Sequence, residues 1–428
     1  MRPVFWLLVF LVCSLSVPTI ANDEIKLAEG AGNLSQSDWP WWRGPFRNGI
    51  ADEQDPPLQW DSNTNIRWQA PVPGRGHGSP TLVGNRIYLA TADEQKQTQL
   101  VLCYDRNTGK QVWQTVIHQG KLHLKSNKKA SQASSTVACD GERLFINFLN
   151  GGAVFTTALD LSGKQLWQRQ ITKYVVHQGY GSSPAIYGPL VIVSADNKGG
   201  GAICGLDRKT GQVVWKTQRP KMPNYASPVI LRVDNRHQLL FSGCEMILSL
   251  DPLSGRKLWE TKGSTTECVT TMVTDGQLVY TSGGYPKNHM SAVTGDGSKK
   301  LVWKNNVRVY VPSMLVYQGF LYAVTDAGVA RCWHARSGKE LWSGRLGGTF
   351  SSSPVKVGDY IFATNERGKT FIFEENSETF SLVATNALGD EVFATPVFSK
   401  NQIFMRVAHR NDNQRTEVLY CIAEPETP

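Results

Sequence analysis

The chain has 428 residues, 41% of them hydrophobic and 19% charged, with a formal net charge of +9. That balance excludes a disordered chain. The Lys and Arg residues are scattered instead of forming a stripe, and no recognisable binding motif accompanies them, which argues against a nucleic-acid partner.

Arg2, the apolar run VFWLLVFLVCSLSV (4–17) and the small residues of TIA (19–21) read as a secretory signal over 1–21, cut near Ala21. The run is short for a membrane span, and no later stretch approaches the roughly 18 apolar residues a span needs. The expected location is therefore outside the cytoplasm, in the periplasm or cell envelope. Cys13 raises lipid attachment, but Val12 is a poor match to the small residue such a box wants, so simple cleavage is the preferred reading. Residues 22–64 form an N-terminal extension. Within it WPWWRGPFRNGIA (39–51) reads as a plug across one face of the fold, its three Trp and Phe46 buried and Arg43 and Arg47 stacked on the rings.

From residue 65 onward the chain repeats itself. Strand-closing tryptophans fall at 68, 113, 167, 215, 259, 303 and 342, spaced by 39 to 54 residues. Such a period points to propeller blades or a helical solenoid. The stretch SSPAIYGPLVIVSADNKGGGAICGLDRKTGQVVW (182–215) holds four short apolar runs separated by turn residues, with no helical periodicity, so the unit is a four-stranded blade. In its last turn Asp207 is placed to accept backbone N–H bonds, and Gly211 can take a positive φ. Units begin near Ser79, Ser135, Ser183, Ser227, Thr271, Ser313, Ser353 and Thr395. The eighth stops after three strands, whereas NIRWQAPV (65–72) is a Trp strand with none before it. Trp68 should therefore close the last blade, tying the chain ends together and leaving no open sheet edge. The expected fold is all-β, an eight-bladed β-propeller of four-stranded blades over 65–428, its last blade closed by an N-terminal strand. The seven tryptophans, Trp68, Trp113, Trp167, Trp215, Trp259, Trp303 and Trp342, should pack between neighbouring blades.

The turn written at Asp105–Gly109–Trp113, Asp160–Gly163–Trp167, Asp207–Gly211–Trp215 and Asp251–Gly255–Trp259 resembles the tryptophan-docking repeat of quinoprotein-like propellers, also called PQQ-like after pyrroloquinoline quinone. His334 stands in the Asp place of the turn before Trp342, and VTGDGSKKLVW (293–303) is degenerate. The superfamily includes PQQ dehydrogenases and non-catalytic BamB-like proteins of outer-membrane assembly. A PQQ dehydrogenase needs oxygen ligands for calcium, a general base and, in the alcohol-oxidising branch, a vicinal disulfide. This chain has no Cys-Cys pair, and its units are close to minimal length. The resemblance accordingly implies a non-catalytic, BamB-like binding platform with no cofactor or metal. Its partners would be cell-envelope proteins or peptides; it would be a monomer, peripheral to a membrane. The alternatives are an alcohol or sugar dehydrogenase using PQQ and Ca²⁺, and a glycan- or polymer-binding propeller.

The loops entering the first strand of each blade should form one channel mouth. They place Arg75, His77, Gln132, Tyr180, Asn224, Tyr225, Glu267, Tyr310, Phe350 and Phe393 near a common rim. An aromatic rim with a few polar groups suits peptide, glycan or small-molecule binding, and equally suits simple filling of a funnel. His77 and Glu267 are open as an acid–base pair. The segment 118–132 carries His118, Lys121, His123, Lys125, Lys128 and Lys129; it reads either as a solvated loop or as a patch for an acidic partner or lipid headgroups. Seven cysteines follow Cys13, without a CxxC. Cys103, Cys204, Cys332 and Cys421 fit small buried hydrophobes near strand ends, while Cys244 and Cys268 are open as a disulfide.

Overall fold

Each repeat builds its shape from local rules. In the third unit Asp207 Oδ1 accepts the N–H groups of Lys209 and Thr210, at 3.0 and 2.8 Å, and the Thr210 hydroxyl at 2.9 Å. Gly211 turns the chain at a φ of 71°. In the sixth unit His334 Nδ1 takes the Asp place and accepts the Ser337 N–H at 3.3 Å. These turns join strands into antiparallel meanders, such as Ala185–Tyr187, Leu190–Ser194, Ala202–Asp207 and Val213–Gln218.

The computed structural model describes residues 34–425, apart from 36, 52–53, 124–126, 128 and 413. The expected signal segment 1–21, Cys13, Lys125 and Lys128 therefore lie outside the described residues. Eight such meanders form an eight-bladed β-propeller, with no helix among the described residues. The first seven blades span 81–119, 138–173, 185–218, 229–262, 273–305, 315–345 and 355–387. In the eighth, Val397–Ser399, Gln402–Asn411 and Gln414–Ile422 are completed by Ile66–Val72, which pairs antiparallel with Gln414–Ile422.

First strands touch one another between blades 1 and 2, 3 and 4, 4 and 5, and 5 and 6, which places them around the axis. Fourth strands alternate between exposed and covered positions, as an outer edge must. The core is a ring of clusters, each between neighbouring blades. One joins Tyr88 and Cys103 of blade 1 to Val137 and Phe148 of blade 2; another joins Ile192 of blade 3 to Phe241 of blade 4. The largest spans blades 7, 8 and 1 across the chain closure.

The tryptophans stitch this ring together. Trp68, Trp113, Trp167 and Trp215 donate their indole N–H to backbone carbonyls in the next blade's last turn, at 2.9 to 3.2 Å. Trp303 and Trp342 do the same at 2.7 Å. Except at Trp342, whose partner turn has no glycine, the turn glycine of that next blade lies flat on the ring: a Cβ on Gly211 would sit 2.6 Å from the Trp167 indole, and one on Gly255 2.4 Å from that of Trp215. Trp259 breaks the pattern. Its partner turn is the degenerate one, and its N–H goes instead to Gln238 Oε1 in its own blade at 2.8 Å.

Three cysteines sit directly across from a tryptophan: Cys103 from Trp113, Cys332 from Trp342 and Cys421 from Trp68. All seven described cysteines are free and buried, so Cys244 and Cys268 are not bridged.

Candidate functional site

The chain before blade 8's closing strand seals one end of the central channel. Trp39 N–H bonds the Leu82 carbonyl at 2.8 Å, and Pro40 O accepts from Cys139 at 2.8 Å. Arg47 donates to Ile186 O and Arg43 to Met314 O, each at 2.5 Å. Ile50–Ala51 runs parallel to Lys356–Val357, and Gln54 reaches Phe398 O. Trp41 and Trp42 line a small crevice together with Pro228 and Val229 of blade 4, so the segment reaches from blade 1 round to blade 8. Arg47 stacks 4.4 Å from the Trp41 ring centre. The plug departs from the sequence expectation in two ways: Phe46 is 64% exposed, and Arg43 is buried on carbonyls instead of a ring.

Above the plug lies a ring of hydroxyls, one at the start of each blade. Ser79 N–H donates to Thr136 Oγ1, Thr136 to Ser183 and Ser183 to Ser227, at 2.9 to 3.0 Å. Thr271, Ser313, Ser353 and Thr395 form a second run of the same kind. In blade 2 the ring position is Thr136, one residue beyond the expected Ser135. Trp42 rises from the plug and donates its indole N–H to Thr271 Oγ1 at 2.8 Å.

The other end of the channel is an open funnel of about 530 Å³ with Trp42 in its lining. His77, Tyr180, Tyr225, Glu267, Tyr310 and Phe393 converge on it. His77 stacks on Phe393 at 4.4 Å, and the Arg75 guanidinium lies 6.0 Å from that ring centre without lining the cavity. Tyr180 is fixed by a 2.8 Å bond from its hydroxyl to Ser194 O. Two rim candidates belong to the framework instead. Phe350 is 1% exposed against Phe371. Asn224 is spent on Asp196, Ser242 O and the Cys268 N–H, beside the buried Asp196–Arg219 pair. Gln132 braces its own loop through His123 O.

Glu267 does not meet His77. It binds His177 Nε2 and accepts the Tyr310 hydroxyl, both at 3.2 Å. Burial, and then the Glu267 charge, push the phenols of Tyr225 and Tyr310 well up, so both stay protonated donors. Burial also raises Asp326, which accepts the Tyr310 N–H at 2.7 Å. Lys129 is not a free patch residue: it pairs with Glu366 of blade 7 at 2.7 Å, and Ser351 supports the same carboxylate. His177 and Tyr285 escaped the sequence reading, and Trp42, read as part of the plug, was not expected in the funnel lining. His177 stands two residues before Gly179, just outside the short loop motif GYGSSP, and a wider window on each loop would have caught it.

A family model described as outer membrane protein assembly factor BamB matches residues 51–173, 97–344 and 296–377. The chain belongs to this PQQ-like propeller family. Among curated relatives it is 28% identical over 308 residues to outer membrane protein assembly factor BamB of Burkholderia pseudomallei, covering 68% of this chain and 63% of that protein. It is 25% identical over 341 residues to tetrathionate hydrolase of Acidithiobacillus ferrooxidans, covering 70% and 64%. The chain thus spans a little under two thirds of the length of these relatives. Two solved structures share the fold. BamB from Moraxella catarrhalis matches with a TM-score of 0.59 at 15% identity, over 85% of this chain and 98% of that one. Quinohemoprotein alcohol dehydrogenase from Comamonas testosteroni matches with 0.67 at 13% identity, over 92% and 83%.

For a PQQ-like propeller, the fit of calcium and PQQ to the funnel is decided by its donor set. Calcium wants several converging oxygens. Glu267 is the one carboxylate among the described lining residues, and Tyr310 and His177 already hold it. Among the described residues no group of three His, Cys, Asp or Glu side chains converges anywhere. PQQ itself carries three carboxylates. Lys129, the one Lys or Arg of the described lining, is already paired with Glu366, and PQQ would lie against the Glu267 charge. The residues present do not fit the pair.

Proposed function

We propose that this PQQ-like propeller is an exported, non-catalytic binding platform of the cell envelope, with the open funnel as its recognition face and a protein or peptide as its partner. One observation carries the reading: the chain's own N-terminal segment lies across one channel mouth, and the opposite mouth is a funnel walled by aromatic rings. Rings held in place by Ser194, Glu267 and His77 make a rigid apolar surface with a few donors, the composition of a recognition pocket. The description of the matching family and of its curated relatives supports an envelope partner. Residues 1–21 serve as the export signal, and the mature chain works as a monomer.

Capture from an envelope extract tests the proposal. The wild-type chain should enrich a defined set of proteins, and a Tyr225→Ala/Phe393→Ala variant with an unchanged melting temperature should lose them. Equal capture by both sinks the assignment of the funnel. Dye-linked oxidation of an alcohol or sugar after addition of PQQ and Ca²⁺ would overturn the non-catalytic reading.

A further inference from the structure

We infer that the funnel receives a cationic side chain, the ammonium of a lysine or the guanidinium of an arginine on the partner polypeptide, and that Glu267 recognises it. This inference rests on the binding-platform reading and names what the platform holds.

The argument starts from how the molecule treats its buried carboxylates. Asp140 faces the Arg208 guanidinium at 2.8 Å, Asp196 faces Arg219 at 3.1 Å, and Glu417 faces Arg406, all buried. Asp38 and Asp207 are also buried, and backbone N–H groups of nearby turns satisfy them. Glu267 is buried as deeply, at 4% exposure, and has neither kind of partner for its carboxylate. Its oxygens meet a tyrosine hydroxyl and an imidazole, and among the described residues no Lys or Arg stands within 4.0 Å. A buried carboxylate with no permanent counter-charge, only a hydroxyl and an imidazole, leaves part of its desolvation penalty unrecovered. A cation entering the cavity would supply that charge.

The walls are made for the same guest. Tyr225, Tyr285, Tyr310, Phe393 and Trp42 line the space, and ring faces attract cations. The protein already uses two of these rings this way: the Arg308 guanidinium lies 5.0 Å from the centre of Tyr310, and that of Arg75 6.0 Å from the centre of Phe393. Neither arginine lines the cavity. Lys129 at the mouth is offset by Glu366, so its charge is locally balanced against an incoming cation. A volume of about 530 Å³ admits a long side chain with its backbone outside.

Blocked heptapeptides that differ only at a central Lys, Arg, norleucine or Glu test this by calorimetry against the mature chain. The Lys and Arg peptides should bind at least about tenfold more tightly than norleucine, and Glu should bind most weakly. Glu267→Gln, which keeps the size and an acceptor for Tyr310, should erase the preference; near-UV circular dichroism confirms that its core is intact. Tyr285→Leu, at a 53% exposed wall position, should weaken the Lys peptide and spare norleucine. Equal binding of Lys and norleucine, an unchanged preference in Glu267→Gln, or no binding by any peptide overturns the inference. If n-butylamine matches the Lys peptide in affinity, the ligand is a free amine and the polypeptide assignment falls. Peptide failure together with funnel-dependent capture of envelope proteins leaves the platform standing without the cation site. Lys-selective binding without such capture does the reverse.

Discussion

Replacing Gly255 by alanine should loosen the seam between blades 3 and 4. Gly255 has a φ of 67°, and its missing Cβ would lie 2.4 Å from Cε3 and 2.5 Å from Cδ2 of Trp215. Two penalties add. Holding alanine in the left-handed region costs roughly 1–2 kcal/mol. Forcing the 8% exposed indole off the turn is overpacking, about 1–3 kcal/mol, and strains its 3.2 Å bond to Pro252 O. Gly152 separates the two penalties. Its φ is 75°, and a Cβ there meets nothing within 4 Å, so Gly152→Ala carries the first penalty alone. In urea unfolding followed by tryptophan fluorescence, Gly255→Ala should therefore be less stable than Gly152→Ala by about 2 kcal/mol at an unchanged m-value. Trp215→Phe in the Gly255→Ala background should recover part of the loss, as a coupled pair must. If the two alanine variants unfold at the same midpoint, or if Trp215→Phe and Gly255→Ala are simply additive, the flat glycine–indole contact is not what joins the blades.

Three further outcomes follow from the same geometry. His118 and His289 are held down to about 4, chiefly by burial, and His289 Nε2 accepts the Ser264 N–H at 3.1 Å as a neutral ring. The unfolded chain takes up these protons near the ordinary value of 6.5, before the native state does, so stability should be complete above about pH 6.5 and fall as pH drops toward 4. Urea midpoints across that window measure it: His289→Gln should flatten the decline, and a midpoint that rises on acidification would contradict the assignment. Glu417→Leu strands the buried Arg406, which also binds Ala90 O and Thr91 Oγ1 of blade 1, and should destabilise by about 3–5 kcal/mol. Adding Arg406→Met should restore most of that stability, and no restoration would show that the pair is not the closing clasp. Trp68→Ala should cost about 3 kcal/mol, and limited proteolysis should then cut first near residues 66–72; cleavage elsewhere would mean that this strand does not close the ring.

The blade count and the closure were legible for one reason. Each repeat carries its own turn, its own Trp strand and its own pairing, so the signal recurs about every 45 residues without reference to the rest of the chain. The orphan Trp strand at 65–72 and the three-strand remnant after Thr395 complement each other in plain sequence, and Ile66–Val72 pairs with Gln414–Ile422. The rim was legible as a set of loops but not as a set of side chains. Neighbouring residues of an extended segment point in opposite directions. Asn224 therefore turns into the framework while Tyr225 faces the funnel, and Phe350 enters the core while Ser351 lines the mouth. The exception at Trp259 was foreshadowed by the degenerate turn at 293–303, although its substitute partner Gln238 was not.

By itself the amino-acid order determined the strand pattern, the eight blades and the joining of the chain ends, because those depend on short-range turn chemistry and on contacts repeated from one unit to the next. Only the tertiary structure decided that Arg43 and Arg47 of the N-terminal plug bind strand carbonyls while Phe46 stays exposed, and that Glu267 meets His177 and Tyr310 while His77 stacks on Phe393. Those partners come from different blades, far apart along the chain. Their distances are set by the curvature of the closed ring, a property of all eight units at once that no local stretch encodes.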